Sequence, residues 1–455
     1  METITYLNKD IQKKHLINRA TFACSKQEYD QYMSMELNDL VDILTLEKKD
    51  DSLVETIIVD SLKSDPRLKK TAALHDWLLR ISKTNNPLIE KMNYFWHDHF
   101  AIHATGNSKA LYAYTYMLRG KSLNQFDDLL VSVARSPAML LSLDGARSTK
   151  IAPNENFARE VMELHTLGPG NYTEDDIKEA ARIFTGWVVK GGSNKEQYKE
   201  TPITTKFYKY RSDQSSKQVR GIKGNISDDE FLTSLANDPA THDALIRKIW
   251  KFFINTNPNE KDIKSIKQVF VKSNLSISIT LNKLMKMPNF YETKNYRNKI
   301  KTPLECILGT IRKLEIPIEN YRISNNLHYM MRNMGLDLYK PPGPNGWIKN
   351  TNEWLNYNTT IQRANAAGYL SGAALNGSGK DSHFMKLLEK YDVELQPEKI
   401  VNFYLELLTN TEVNIKIKKV LIEHLKNKKT QNGFDYSRIN GLIYLILTMP
   451  EYQLI

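Results

Sequence analysis

The sequence has little of several features that mark a well-known class of protein. Two cysteines, Cys24 and Cys306, are too few for a disulfide scaffold or a cysteine-only zinc site. No run of 18 or more apolar residues occurs, which argues against a membrane-spanning helix. The phosphate-binding pattern GxxxxGK[ST], the nucleophile pattern GxSxG and the pair CxxC are also missing. The sequence therefore lacks the common signatures of nucleotide hydrolysis, of α/β-hydrolase catalysis and of thiol redox chemistry.

The composition is that of a large globular protein with a basic surface. Of 455 residues, 41% are hydrophobic and 25% are charged, so there is enough apolar material for a core. The 63 lysines and arginines exceed the 52 aspartates and glutamates, which gives a net charge of +11. This excess favours a polyanionic partner. The lysines are scattered, as on solvated helix faces, and no zinc-finger or RNA-recognition pattern occurs, so nucleic-acid binding is not expected.

Helical spacing of the apolar residues dominates the chain and predicts a mainly α protein, a large globular array of many helices. One such helix begins at Pro87 and places Met92, Phe95 and Trp96 on its apolar face. Near residues 200–225, aromatic and polar residues alternate and then turn through serine and aspartate. That pattern predicts a small β-hairpin, inserted at about 195–226.

The composition changes at residues 375–382, LNGSGKDS, which predicts a linker. The expected domains are a main helical domain, 1–374, and a C-terminal helical subdomain, 375–455, packed on the first. The N-terminal residues lack an apolar signal core. The chain is therefore expected to be cytoplasmic, or periplasmic or exported if a signal segment was removed.

A helical hairpin is predicted in the segment with the most polar residues. Asn154 is a candidate N-cap after Pro153, and Gly168, Pro169 and Gly170 end the first helix near residue 167. Thr173 with Asp176 in the capping-box position begins the second helix.

The polar residues of the first helix share one face. At about 100° per residue, one side collects the apolar residues and His165. The other side collects Glu155, Asn156, Arg159, Glu160 and Glu163. One interpretation is a solvated, ion-paired surface, since Arg159 is spaced for salt bridges to both Glu155 and Glu163. The other is a site in which the carboxylates bind a divalent cation or act as general acid and base.

A second constellation is the run FWHDHF, in which His97 and His99 are followed by His103. His99 and His103 are four positions apart, the spacing of helical metal ligands, although no HExxH occurs. The helical wheel places both on the core-facing stripe, where a buried ring needs a polar partner. A carboxylate or a metal ion from another helix is the expected partner, and a purely structural role is the alternative.

The loop PPGPNGW, with Trp354 soon after it, cannot be helical. Its glycines and prolines indicate a shaped surface loop. If the rings of Trp347 and Trp354 are exposed, they suit stacking on sugar or polymer faces, although a tryptophan more often simply packs in the core.

Taken together, these segments resemble a bacterial family known only as domain-of-unknown-function family 1800. The similarity extends in order along nearly the whole chain, through HLINRATFAC, PLIEKMNYFWHDHF, LLSLDGARSTKIAPNENFAREVMELHTLGPGNYTEDDIKEAARIFTGW, PLECILGTIRKL and PPGPNGWIKNTNEWLNYNTTIQRAN. The resemblance implies a mostly helical protein, usually exported and often encoded beside a sulfatase-like partner. It implies no known reaction.

The family motifs fall on four groups of residues in this chain. They are His97 and His99; Asn154, Glu155, Asn156, Arg159 and Glu160; Arg182, Thr185, Gly186 and Trp187; and Asn345, Gly346 and Trp347. Many relatives carry a His-Asp pair where this chain has Ser212 and Asp213.

The first hypothesis is a metal-assisted hydrolase or transferase that acts on an exported or cell-surface polymer, for example an anionic polysaccharide. In it, Glu160 is the general base, Arg159 holds an anionic group, and the histidine run approaches the polar helix face. The catalytic candidates are Glu160, Arg159, Asn156, His97 and Arg182; the candidate ligands of a divalent metal ion are His99, Glu163 and His165; the candidate binding residues are Asn154, Asn345, Trp347 and Trp354. The alternative is a non-catalytic scaffold or surface-assembly protein that binds a partner protein or glycan and whose polar cluster is structural.

Overall fold

The computed structural model describes residues 5–46, 72–102, 107–191, 203–254, 257–347, 351–426 and 434–455. His103, one of the histidines considered as a metal ligand, lies outside these residues. In the described part the chain is mainly α-helical, which confirms the predicted fold class. None of the described helices is both long enough and apolar enough to cross a bilayer.

The helices of the first part of the chain precede two small sheets. They are α1 (Lys9–Ala20), α2 (Lys26–Ser34), α3 (Leu37–Thr45), α4 (Ala72–Lys83), α5 (Pro87–His99), α6 (Ser108–Gly120), α7 (Phe126–Ala134), α8 (Pro137–Ser142), α9 (Glu155–Glu160) and α10 (Glu174–Ile183). A π-helical segment, Val161–Leu167, continues α9.

The second part of the chain follows the sheets and is again helical. Its helices are α11 (Asp228–Ala236), α12 (Pro239–Phe253), α13 (Glu260–Lys272), α14 (Ile277–Met285), α15 (Pro303–Lys313), α16 (Tyr321–Asn333), α17 (Tyr357–Ser371), α18 (Ala373–Asn376), α19 (His383–Lys390), α20 (Pro397–Thr409), α21 (Ile415–Leu425), α22 (Ile439–Thr448) and α23 (Pro450–Gln453).

Local sequence signals fix several of these helix starts. The predicted capping box of Thr173 and Asp176 begins α10, because each side chain accepts a hydrogen bond from the other residue's backbone N–H. Asn154 caps α9 by accepting from the N–H of Phe157 at 3.2 Å, also as predicted. At α15, Glu305 accepts from the N–H of Thr302 at 2.7 Å, which places its carboxylate deep in the protein.

The predicted small β excursion near residues 200–225 is confirmed, but the chain forms two small sheets there instead of one hairpin. Strand β1 (Trp187–Lys190) pairs with β2 (Thr204–Phe207), and β3 (Lys217–Val219) pairs separately with β4 (Ile222–Gly224). The alternating pattern identifies a strand but not its partner, because the same exposed and buried faces suit more than one register. The tight turn of the second hairpin lies at Arg220 and Gly221, where both φ angles are positive.

Gly186 is the residue that lets the start of β1 lie close to Phe207 and Ser212. Its φ is +103°, and a Cβ there would lie 2.8 Å from the Cβ of Ser212 and 2.9 Å from the ring of Phe207. Its carbonyl also accepts from the N–H of Tyr208 at 2.9 Å. The position therefore requires a residue without a side chain.

We expect Gly186→Ala to lower the free energy of unfolding by about 2–4 kcal/mol, because strain and overpacking add. Gly170→Ala is the matched control, since Gly170 has a φ of +81° but open space around its Cα. The control should lose only about 1 kcal/mol from backbone strain. Urea unfolding of both variants checks this, and equal losses would show that the contact with Ser212 and Phe207 is unimportant.

Packing crosses the boundary proposed near residue 375. Helix α17 packs against α22, and the Arg363 guanidinium donates to Gln453 at 2.9 Å and to the carbonyl of Lys301 at 2.6 Å. The predicted linker overlaps the short helix α18 and a 3₁₀ turn at Gly379–Asp381. The division into a main domain, 1–374, and a C-terminal subdomain, 375–455, stays a prediction.

Candidate functional site

The two faces of the helix 155–167 are as the periodicity predicts. Glu155 and Asn156 are exposed, and the remaining polar-face residues are partly buried. Buried on the opposite side are Phe157, Ala158, Val161, Met162 and His165. The helix changes from α to π at Val161, and the Thr166 hydroxyl donates to the Val161 carbonyl, five residues back, at 2.8 Å. Such π segments are rare and occur frequently at functional sites.

Arg159 is bound across the helical hairpin rather than along its own helix. Its guanidinium donates to both carboxylate oxygens of Glu174, at 2.8 and 2.7 Å. This pairing raises the pKa of Arg159 and lowers the pKa of Glu174. The expected salt bridges to Glu155 and Glu163 are replaced by this bidentate pair, which lies on the surface.

Glu160 and Glu163 have different surroundings although they lie one turn apart. The Tyr172 hydroxyl donates to Glu163. Glu160 is partly buried and has no hydrogen-bond or ion-pair partner among the described residues. Burial, and then the charge of Glu163, raise the pKa of Glu160, while Arg159 opposes the shift. The face therefore holds one hydrogen-bonded carboxylate and one that keeps its proton to higher pH than an ordinary glutamate.

His99 and His165 come together behind this face. Their ring centroids are 6.2 Å apart, and His99 Nε2 lies 3.2 Å from the His165 carbonyl oxygen. His99 Nδ1 lies 3.2 Å from Lys248 Nζ, which also donates to the Leu164 carbonyl at 2.8 Å. Because a carbonyl only accepts and an ammonium only donates, His99 carries its proton on Nε2. An ammonium and a carbonyl oxygen thus lie at the two ring nitrogens of His99.

The proposed metal ligands do not fit a metal ion. Both ring nitrogens of His99 have partners, and an ammonium faces one of them. Burial, and then the charge of Lys248, lower the pKa of His165 to about 3. Within the described ranges, no three histidine, cysteine, aspartate or glutamate side chains are grouped closely enough to hold an ion.

His97 lies apart from His99 and His165, in a box formed by four aromatic rings. Its ring centroid is 4.9 Å from that of Trp77, 5.0 Å from Tyr339, 5.5 Å from Trp347 and 6.0 Å from Tyr114. Both ring nitrogens are buried without a hydrogen-bond partner in the described part of the chain, and burial lowers the His97 pKa to about 3. The ring contacts of His97 thus include no residue of the helix 155–167, although the first hypothesis expected His97 to approach the polar face of that helix.

The loop that carries Trp347 closes this box instead of presenting its rings to solvent. Trp347 is 4% exposed and Trp354 is 2% exposed, so both rings pack in the interior. Trp347 stacks on Tyr94 with 6.2 Å between centroids, and its backbone N–H donates to Asp98 at 2.7 Å. Asn345, at the turn of the loop, is exposed. A large apolar ring gains more from burial than from exposure, and the loop is shaped to bury it.

A family model described as "Protein of unknown function (DUF1800)" matches residues 15–454 of the chain. The chain belongs to the DUF1800 family. No curated protein and no solved structure matches it significantly. The resemblance seen in the sequence is thereby confirmed over nearly the whole length.

Several DUF1800 motif residues serve the fold in this structure. Arg182 fastens the loop before β3 to helix α10, because it donates to Asp213 at 2.8 Å, to Glu179 at 2.7 Å and to Ser215 at 2.6 Å. Burial opposes ionisation of Asp213, but the Arg182 contact prevails and lowers the pKa of Asp213. Asn154 caps α9 and donates to the Leu143 carbonyl at 2.7 Å.

Sequence reasoning missed three residues of this region: Lys248, Tyr172 and Glu174. Glu174 faces Arg159 because two antiparallel helices joined by a short turn bring their facing sides together, so the predicted hairpin contained a signal for it. Tyr172 lies in the turn of the same hairpin. Lys248 belongs to the distant helix α12, which carries no motif, and no sequence signal pointed to it.

Proposed function

We propose that the protein is a hydrolase or transferase that acts on an exported or cell-surface polymer, with Glu160 as its acid–base group. The observation that supports this most is the state of Glu160, a partly buried carboxylate without a partner among the described residues and with a raised pKa. Unpaired carboxylates in such surroundings are candidates for general acid–base chemistry.

Two carboxylates in unlike environments can divide the roles of acid and base. Protonated Glu160 gives its proton to the leaving oxygen as the bond within the polymer breaks. Glu163, held by the Tyr172 hydroxyl, accepts the proton of the attacking water or acceptor hydroxyl, whose oxygen forms the new bond. A proton shift between the two carboxyl groups then restores the starting state.

An anionic polysaccharide is the polymer class that the charge distribution favours. The net charge is +11, and Arg159 presents a planar fork on the surface beside Glu160. An exposed ion pair such as Arg159–Glu174 contributes little to stability. A carboxylate or sulfate of the substrate can therefore replace Glu174 on the guanidinium with bidentate geometry. Asn156 is exposed on the same face, and in this proposal its amide contacts a sugar hydroxyl.

We expect Glu160→Gln to reduce turnover at least 100-fold, since general acid–base catalysis contributes about that much or more. Glu155→Gln is the matched control, because Glu155 lies on the same helix but is exposed. Both proteins are incubated with a panel of fluorescently labelled anionic polysaccharides, and product size is followed by gel filtration. Full turnover by Glu160→Gln, or an equal loss in the control, would remove Glu160 from the reaction. Wild-type protein that converts none of the panel would favour the alternative below.

The alternative is a non-catalytic scaffold or surface-assembly protein that binds a glycan or a sulfatase-like partner protein. The observation that favours it is that Asn154, Arg159 and Arg182 are each hydrogen-bonded within the fold. The two functions predict different stabilities for Glu160→Gln. If Glu160 is catalytic, the substitution removes no structural contact, so the free energy of unfolding of the variant should equal or exceed that of the wild type. If Glu160 is structural, the free energy of unfolding of the variant should be lower by about 2 kcal/mol.

A further inference from the structure

A group of cations is buried around helix α15, far from the acidic helix in sequence. Each side chain belongs to a residue that is less than a tenth exposed, and the group includes a single carboxylate among the cations. Its members are Arg19, Lys91, Lys299, Lys301, Lys313 and the carboxylate Glu305. Three segments on which the family resemblance depends contribute to the group: HLINRATFAC, PLIEKMNYFWHDHF and PLECILGTIRKL. Sequence reasoning expected the lysines of this protein on solvated helix faces, which is wrong for these four.

One carboxylate cannot neutralise this group. Lys91 Nζ donates to Glu305 at 2.5 Å, and the second Glu305 oxygen accepts from the backbone of Thr302. Lys299 and Lys313 donate to backbone carbonyls, those of Phe252 at 2.7 Å and Leu408 at 2.9 Å. A carbonyl satisfies a donor but carries no full charge, so positive charge exceeds negative charge in the interior.

Of these lysines, Lys301 has the fewest polar contacts for its ammonium group. Its Nζ lies 3.5 Å from the centroid of the Tyr452 ring, and it makes no hydrogen bond or ion pair within the described part of the protein. Burial, and then the charge of Lys313, lower the pKa of Lys301. Burial likewise lowers the pKa of Lys299 to about 7 and of Lys313 to about 8. These shifts record how unfavourable the charges are without a counterion.

A small, partly open cavity is lined by two of these lysines. Its volume is about 10 Å³, and Lys301, Lys313, Glu305, Thr21 and Gly309 are among its lining residues. Space of this size holds one water molecule or one monatomic ion. It is too small for sulfate or phosphate.

We propose that a chloride-sized monatomic anion binds in this cavity, against the ammonium groups of Lys301 and Lys313. The Glu305 carboxylate in the wall does not prevent this, because its oxygens are directed to Lys91 and to the Thr302 N–H. The bound anion neutralises charges that the protein leaves unpaired, and it joins residues of α15 to the segment after α1. The site is separate from Glu160 and independent of the proposed reaction.

Thermal unfolding tests the proposal at fixed ionic strength, with chloride exchanged for gluconate. The midpoint should rise saturably with chloride, by roughly 3 °C when chloride reaches about one hundred times its Kd. Lys301→Met should remove the saturable rise, and Lys261→Met, a change at an exposed lysine, should retain it. The same midpoint in chloride and gluconate would overturn the proposal, as would an unchanged chloride response in Lys301→Met.

A crystal of the wild-type protein soaked in bromide decides the question even if Lys301→Met does not fold. An anomalous bromide peak within contact distance of Lys301 Nζ and Lys313 Nζ is the expected result. A cavity that holds only water, with lysines that are neutral instead, would overturn it.

Discussion

Replacing Glu305 with glutamine should lower the free energy of unfolding by about 3–5 kcal/mol, the range for removing one partner of a buried ion pair. Glu305 is the carboxylate beside Lys91, at 2.5 Å, and the nearby charges of Lys91 and Lys299 hold its pKa at about 2 although burial alone would raise it. Glutamine keeps the size and the hydrogen bond from Thr302 but removes the charge. The neighbouring cations are then left without a buried counterion.

The double variant Lys91→Met, Glu305→Gln is the control for this prediction. It removes the pair together, so it should recover a large part of the lost stability. Guanidinium unfolding of the wild type and the variants gives the coupling free energy between Lys91 and Glu305. A loss below about 1 kcal/mol in Glu305→Gln would show that the interior lysines are neutral and need no partner. Chloride should also restore part of the stability of Glu305→Gln, since an added anion would then face one carboxylate fewer.

The protein should lose stability steeply between pH 6.5 and pH 3 because several histidines, among them His97 and His165, are buried in the neutral form. Burial lowers the pKa of His97 and of His165 to about 3, from an ordinary value of 6.5. In this range the unfolded chain binds protons that the folded chain does not, so falling pH favours unfolding. The stabilisation that the protein gains from burying these rings in the neutral form is fully present above pH 6.5 and is lost as pH falls toward 3. Each histidine contributes up to about 4 kcal/mol to this loss.

The slope of unfolding free energy against pH measures this effect. His97→Phe keeps an aromatic ring in the box of Trp77 and Tyr339 and removes the titrating group, so its slope should be smaller by up to one proton. Equal slopes in His97→Phe and the wild type would mean that His97 is not buried as a neutral ring.

Much of the fold follows from local sequence signals. The spacing of apolar residues gives the mainly α architecture and the two faces of the 155–167 helix, because helical geometry alone decides which residues share a side. The capping residues Asn154, Thr173 and Asp176 are predicted correctly for the same reason, since each cap depends on neighbours within four positions.

The contacts that shape the site depend on packing between distant segments, which one sequence does not encode locally. His97 meets Trp347 rather than the acidic helix, and His99 meets Lys248 rather than a carboxylate. Strand 204–207 pairs with strand 187–190 because the backbone accepts either partner and the surrounding packing selects one. Burial of Lys301 has no sequence signal either, since an isolated lysine in a polar stretch is normally solvated.

Titration of the Glu160 carboxyl by carbon NMR, with Glu160→Gln to assign the signal, tests whether this residue is the reactive group. The proposed function predicts a pKa above that of an ordinary glutamate, and a further change when an anionic oligosaccharide is added. An ordinary pKa that the oligosaccharide leaves unchanged would contradict it, and the polar helix face would then be a structural surface.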